Sequence, residues 1–462
     1  MKSYADLIEQ TFYFPTKEFQ VENNELFFHG VKLMDIIKEY GTPLKLSYLP
    51  KISQNIQYAK EIFGKAMEKN NYGGEYKYCY CTKSSHFNFV LEEALKNDIH
   101  IETSSAFDIP IVRSLNKKGL LEKDRFIVCN GFKRPLYVQN IADLINDGFT
   151  NCVPVLDNLK EIDFYHENIN DSFNVGIRIA SDEEPNFSFY TSRLGIRYGD
   201  IISHYKEKIE GTNAKLKLLH FFINTGIRDT AYYWSELSRF IYKYCELKKI
   251  CPELDTIDIG GGFPIKNSLG FEFDYEYMAD QIISNIKWIC GKNHVDVPNI
   301  FTEFGSYTVG ESGATIYSIL DEKLQNDKEL WYMMDGSFIT HIPDVWGLNE
   351  KFIMLPINQW DNSFHRVNIG GLTCDSHDYY DSEAHIGEVF LPQIKEDETL
   401  FFGFFHTGAY QEALGGYGGI QHCLIPAPKH VIIQKNADGQ LTSKLFAEEQ
   451  ESEAMMKILG YE

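Results

Sequence analysis

The sequence predicts an α/β protein: a (β/α)8 TIM barrel followed by a mainly antiparallel β domain. Three observations carry the prediction. Eight short, nearly continuous apolar runs recur between about residues 78 and 300, as strands buried on both faces of a parallel sheet do. Most intervals between them hold an amphipathic helical pattern, such as FDIPIVRSLNKKG and TAYYWSELSRFIYKYCELKKI. After about residue 318 the rhythm changes to strands separated by turns, with few helices. An open doubly wound sheet is the competing architecture; eight regular units over about 240 residues favour closure.

In chain order, residues 24–47 hold a strand-like piece (ELFFHGVKL), a helical piece (MDIIKEY) and the punctuation GTP before LKLSYLP. A helical segment, KISQNIQYAKEIFGKAMEKN, leads to the first strand, KYCYCTK. The next runs are IHIETSS, RFIVCN, CVPVLDN, FNVGIRIA, LKLLHFFIN, TIDIGGGFP and NIFTEFGS. Beyond them TIYSILDE, LWYMMDGSF, KFIMLPINQW, HRVNIGGLTC, GEVFLP, TLFFGFFHTGAY and KHVIIQK read as the strands of the second domain. The expected division is an N-terminal segment, 1–47, joining the C-terminal sheet, a barrel at 48–318 and a β domain at 319–462. The final EEQESEAMMKILG reads as a solvated helix face, and the glycines of 406–419 suit a mobile loop over a site.

Bulk properties narrow the function. A formal charge of −22 argues against nucleic acid or an anionic membrane as partner and suits a cationic substrate. No signal-peptide core or membrane-spanning apolar run is present. The nine cysteines mostly sit in apolar runs without metal-site spacing, so free thiols in a reducing cytoplasm are expected. His406 and His422 show no metal-ligand spacing either and read as structural or surface residues.

Active sites of barrels lie at the carboxyl ends of the strands. The first strand ends at Lys83, an awkward place for an ammonium: it either snorkels to water or is held to form a Schiff base. The second ends at Glu102-Thr103-Ser104-Ser105, the sixth at Asn224-Thr225-Gly226, the seventh at Gly260-Gly261-Gly262 and the eighth at Glu303. Three successive glycines either make a tight turn or let backbone N–H groups approach a phosphate. Glu303 is either a helix N-terminal charge or an acid facing a ligand. A strand-end lysine, a phosphate nest and a carboxylate together are what pyridoxal 5'-phosphate requires.

On these residues the chain resembles the barrel-fold (fold-type III, alanine racemase-like) pyridoxal-phosphate decarboxylases of ornithine, arginine and diaminopimelate. The resemblance spans almost the whole chain. Tyr80-x-x-Lys83 matches the cofactor-lysine motif, and Glu102 with Ser105 matches the acidic and serine positions after strand two. Gly260 to Gly262 match the phosphate glycines, and Glu303 the glutamate facing the pyridine nitrogen. Cys374-Asp375-Ser376 matches a C-D-S/G motif that the family presents across a dimer interface. Gly408-Ala409-Tyr410 matches a motif whose tyrosine contacts phosphate.

LHFFINTG, IPDVWGLNEKFIMLP, LTCDS and GAYQE look most like biosynthetic arginine decarboxylase. The resemblance therefore implies decarboxylation of a small cationic amino acid, arginine to agmatine first, within polyamine biosynthesis. Diaminopimelate, ornithine, lysine or carboxynorspermidine are alternative substrates. It implies Lys83 and Cys374 as catalytic groups, with Cys374 controlling reprotonation, and Asp344 and Asp375 at the substrate's polar ends. Asp375 alone reads equally as a turn cap. Arg178 would lie near the phenolic oxygen or serve as a strand-end ion-pair partner. A cytoplasmic homodimer with shared active sites, or a higher oligomer, is implied; a Mg2+ requirement has no motif to carry it.

Three departures from the family pattern stand out. The ring-stacking histidine is replaced by Phe222, with His220 on the same side of the strand. The usual arginine after Glu303 is Ser306, leaving the glycines, Thr225 and Tyr410 to carry more of the phosphate. The helical insertion of typical biosynthetic arginine decarboxylases is missing. Two rival classes differ at named residues. Racemases of this fold usually put an arginine opposite the pyridine nitrogen, where Glu303 stands. A non-catalytic, antizyme-like homologue would be expected to lose Lys83 or Cys374, and both are present.

Overall fold

The eight apolar runs are eight parallel strands: Tyr76–Cys81, His100–Thr103, Ile127–Cys129, Cys152–Leu156, Phe173–Ala180, Ala214–His220, Thr256–Asp258 and Asn299–Phe304. The computed structural model describes residues 14–15, 17–181, 192–384, 386–395, 397–419 and 421–461. Each strand pairs with the next, and the eighth pairs with the first through Ile300↔Tyr76 to Phe304↔Tyr80, so the sheet closes. A two-residue strand, Ile196–Arg197, adds to the fifth. The interior holds Cys79, Val128, Val153, Val155, Leu218 and Phe301, fitted side chains rather than a pore. At Gly176 an added Cβ would meet the Leu218 side chain at 2.9 Å, so glycine makes room for the larger neighbour.

The covering helices begin where the chain supplies caps. Thr230 Oγ1 accepts from the Tyr233 amide (3.1 Å) ahead of Ala231–Lys248, and Asp274 Oδ1 from that of Tyr277 (2.9 Å) ahead of Tyr275–Asn293. Pro135 opens Pro135–Asn146, where its missing N–H costs nothing. Register sets the site. Cys81 lies beside Glu102, and Cys79 beside Glu303, so acids from the second and eighth strands flank the first.

Two compact units divide the chain. The barrel is Ser53–Pro264 with Phe273–Thr308; the other unit comprises the described residues up to Ile52, Ile265–Glu272, and everything from Val309. In the second unit Leu44–Tyr48 pairs antiparallel with Gly313–Gln325 and parallel with Lys429–Lys435. Glu329–Met334 also runs parallel to Phe364–Gly370, so the mainly antiparallel sheet contains two parallel pairings. The strands Phe19–Glu22, Glu25–Phe28 and Val31–Lys32 form a small separate sheet. Its Phe19 and Phe28 share a core with Leu46, Ile316 and Phe405. Strands that were not expected include Phe19–Glu22, Tyr379–Tyr380 and the half-exposed Leu441–Ala447.

The region 406–419 includes the helix Gln411–Gly415, where only a loop was expected. The terminal helix, Ser452–Ile458, buries Met455 and exposes the rest. No helix among the described residues is long and apolar enough to cross a membrane.

Candidate active site

The first barrel strand runs directly into a single 3-10 turn, Thr82–Ser84, and Lys83 sits on it. Tyr80 is buried and donates from its hydroxyl to the Ser85 carbonyl (2.8 Å), pinning the turn. Lys83 Nζ lies 3.1 Å from Glu102 Oε2, with the lysine side chain 43% exposed and the glutamate fully buried. Lys83 therefore ends neither in bulk water nor in the core. Glu102 Oε1 also accepts from Ser104 Oγ (2.7 Å) and Asn130 Nδ2 (3.2 Å). Ser105 does not touch Glu102 in any of these bonds. Its amide donates to Asp108 Oδ2 (2.9 Å) and its hydroxyl accepts from the Phe107 amide, so it shapes the turn after strand two.

Glu303 faces the same interior. Asn130 Nδ2 donates to its Oε1 (2.5 Å), linking it to Glu102, and His220 Nε2 is 3.2 Å from its Oε2. Burial opposes ionisation of Glu303. The imidazole of His220 and the ammonium of Lys83 outweigh it, and the carboxyl is held far below its usual range. Asp258 moves the other way. Complete burial and the adjacent Glu303 charge push it well above the carboxylate range. The two acids are thus driven in opposite directions. Asn130 and Asp258 escaped the sequence reading, as did the partnership of His220 with Glu303. The only available signal was their position at strand ends.

The glycines after strand seven are required first by backbone crowding. A Cβ on Gly261 would lie 2.1 Å from the Glu303 carbonyl oxygen, and one on Gly262 would lie 2.7 Å from Gly226 Cα. Gly260 and Gly262 have φ of 69° and 101°. The turns after strands six and seven are tied by Ile227 N–H donating to the Gly262 carbonyl (2.9 Å). Thr225 beside them has a buried hydroxyl with no hydrogen-bond partner among the described residues. Phe222 is 38% exposed, and the Arg178 guanidinium carbon lies 5.6 Å from its ring centroid. His220 instead points into the barrel and is buried.

The remaining candidates lie in the β unit. Buried Asp378 ties down the loop that carries Cys374. It accepts from the Thr373 amide and hydroxyl (3.1 and 2.6 Å) and from the Phe338 amide (2.7 Å). Cys374 is exposed, and the adjacent Cys423 thiol raises it above the usual thiol range. Asp375 caps the turn, its Oδ1 accepting from the His377 amide (2.8 Å), a bond that holds its carboxyl below the usual range. Asp344 is buried, which raises its carboxyl; Oδ2 accepts from Gln411 Nε2 (2.7 Å) and Oδ1 has no hydrogen-bond partner among the described residues. Tyr410 is held at φ 67°, and at Gly408 a Cβ would lie 2.1 Å from the Val309 carbonyl oxygen. His406 is fully buried, with Nδ1 2.7 Å from the Lys266 carbonyl and Nε2 against Glu18, which makes it structural.

The barrel residues fit pyridoxal phosphate: an amine at the strand-end turn, a buried acid held below its usual range, and an orphaned hydroxyl beside a glycine turn. Comparison with known proteins agrees. Residues 56–310, more than half of the chain, match the family model described as pyridoxal-dependent decarboxylase, pyridoxal binding domain. A biosynthetic arginine decarboxylase of Prochlorococcus marinus is 23% identical over 92% of this chain and 83% of its own length. Arginine decarboxylase 2 of Arabidopsis thaliana is 23% identical over 91% and 74%. The fold of the Campylobacter jejuni biosynthetic arginine decarboxylase matches with a TM-score of 0.84 at 20% identity, covering 100% of this chain and 91% of that one. A diaminopimelate decarboxylase from M. jannaschii, solved with L-lysine, gives 0.79 at 18% identity, covering 96% and 98%.

Proposed function

The chain belongs to the pyridoxal-dependent decarboxylases, and from that premise we propose that it converts L-arginine to agmatine and carbon dioxide. The observation that carries the reading is the strand-end ammonium of Lys83, 3.1 Å from buried Glu102, which Asn130 links to Glu303, a buried acid whose carboxyl its neighbours hold far below its usual range. Pyridoxal phosphate, when bound, supplies the electron sink for the pair left on the α-carbon as carbon dioxide departs.

The chain's own residues divide the remaining work. Lys83 would anchor the cofactor aldehyde, and Glu102 would orient its amine across 3.1 Å. Glu303, held below its usual range by its neighbours, would keep a proton on the ring nitrogen. His220 and Asn130 fix the direction of that carboxylate. The orphaned Thr225 hydroxyl, the Gly260–262 backbone and Tyr410 take the phosphate, in place of the cation lost at Ser306. Phe222 offers an aromatic face, and Arg178 the phenolic-oxygen contact. Ser105 holds the turn after strand two in shape.

The β-unit roles rest on family resemblance and on local chemistry. Cys374 delivers the proton that replaces carbon dioxide, and Asp375 meets the substrate's polar end. Asp344 has a buried carboxylate with one oxygen to spare, which suits a guanidinium. The names of the relatives favour arginine as the substrate. A homodimer sharing active sites through Cys374 and Asp375, working in a reducing cytoplasm that keeps the thiols free, completes the reading.

The test is product analysis with arginine, ornithine, lysine, meso-diaminopimelate and carboxynorspermidine offered separately to the cofactor-loaded protein. Agmatine from arginine alone supports the proposal. Turnover of only another member of the panel overturns the substrate, and carbon dioxide from none overturns the activity.

A further inference from the structure

Seven of the nine cysteines are buried; Cys374 and Cys423 are the two exposed ones. They are 49 positions apart in sequence, yet their sulfurs approach to 3.5 Å. Cys423 Sγ is also 3.2 Å from His422 Nδ1, and the three ligating atoms all lie within 4.8 Å of one another. Each partner comes from an irregular segment held by its own contacts. Cys374 sits on the loop fastened by Asp378. Cys423 sits in the turn His422–Leu424 with φ 54° and ψ 20°.

A tetrahedral zinc-class ion, with bonds of about 2.3 Å to sulfur and about 2.0 Å to imidazole nitrogen, spaces two sulfurs by about 3.8 Å and a sulfur–nitrogen pair by about 3.5 Å. The observed spacings fall a few tenths of an ångström inside those values. Two thiolates and an imidazole are the donor set that selects such a soft ion over Mg2+ or Ca2+. An exposed three-ligand set leaves the fourth position to water, and Asp375, next in sequence to Cys374, adds a negative field. No sequence motif announced this site, because the donors come from separate loops.

We propose that Cys374, Cys423 and His422 bind one zinc-class divalent cation per chain, and that its binding withdraws Cys374 from the reaction. Binding converts the two thiols to metal thiolates and releases their protons to solvent. The thiol assigned to reprotonation then has no proton to give, so metal occupancy and turnover exclude one another. The inhibitory half rests on the assignment of Cys374 above; the binding half does not.

The experiment uses cofactor-loaded protein kept reduced with a phosphine. Co2+ is the spectroscopic probe, because its tetrahedral d–d bands lie in the red, clear of the cofactor. One equivalent per chain is expected to give those bands. His422→Ala and Cys423→Ser, both outside the proposed machinery and expected to keep basal turnover, are each expected to weaken binding about tenfold or more. Zn2+ is expected to suppress turnover of the parent protein, reversibly by chelator, and to spare Cys423→Ser. Absence of tetrahedral Co2+ bands, or equal affinity in both variants, would overturn the site. Binding at the site without loss of turnover would overturn the inhibition and the role of Cys374, leaving the metal site standing.

Discussion

Asp258 and Glu303 are both acids buried in the barrel, and their neighbours drive them in opposite directions. Replacing Glu303 by Gln keeps the shape and removes the charge proposed to face the ring nitrogen, so kcat should fall about 100-fold or more. Cofactor binding, read by absorbance, should persist. Asp258→Asn keeps an acceptor for the Gly260 amide and removes the ionisable group. It should change kcat by less than about tenfold; a loss as large as that of Glu303→Gln would mean Asp258 works ionised. Lys83 and Glu303 were legible in the sequence because a charge ending a buried strand is conspicuous alone. Asn130 and His220 were not. Asn130 matters because one amide reaches carboxylates on strands two and eight, and His220 because it meets Glu303 across the interior; neither pairing is visible before the barrel closes.

The strands themselves were the most legible elements, because a strand buried on both faces writes an unbroken apolar run. Leu441–Ala447 was missed for the converse reason: half exposed, it alternates weakly and resembles the loops around it. The helix Gln411–Gly415 hid among glycines that read as a loop. The glycine turns give a direct comparison of crowding with helix propensity. Gly261→Ala forces a methyl to within 2.1 Å of the Glu303 carbonyl oxygen and should cost about 1–3 kcal/mol. Gly64→Ala, in the helix Pro50–Lys69 with nothing within 4 Å of the new Cβ, should gain about 0.5–1 kcal/mol. Denaturant melts of the two variants check both signs, and a stabilised Gly261→Ala would show that the turn is less tightly packed than its geometry.

At the scale of the whole chain, buried histidines set the response to acid. Burial lowers His29, His100 and His430 to about 4 and His341 to about 3. Unfolded, they titrate near 6.5, so between about 6.5 and 4 the unfolded chain binds more protons and stability falls as pH falls. Glu18, held below its usual range, adds to that loss further down, as pH drops through its folded value. His406, raised by Glu18, acts in the opposite sense: its stabilisation is full below its unfolded value and fades as pH rises through the folded one. Burial lowers His204 as well, while Glu383, raised by burial to about 7, acts in the sense of His406. Five lowered histidines among the described residues against these two groups predict a melting temperature lower at pH 5 than at pH 7, measurable by calorimetry; an unchanged or higher value at pH 5 would contradict the burial of these rings. The chain's acidity and barrel were legible from composition and rhythm. The meeting of Cys374 with Cys423 was not, because it depends on how two distant loops are held. The most direct measurement is borohydride reduction of the cofactor-loaded protein followed by peptide mass mapping. The predicted result is a pyridoxyl group on Lys83, absent from Lys83→Ala; a label on another lysine, or none despite stoichiometric cofactor, would contradict the assignment of the strand-end amine.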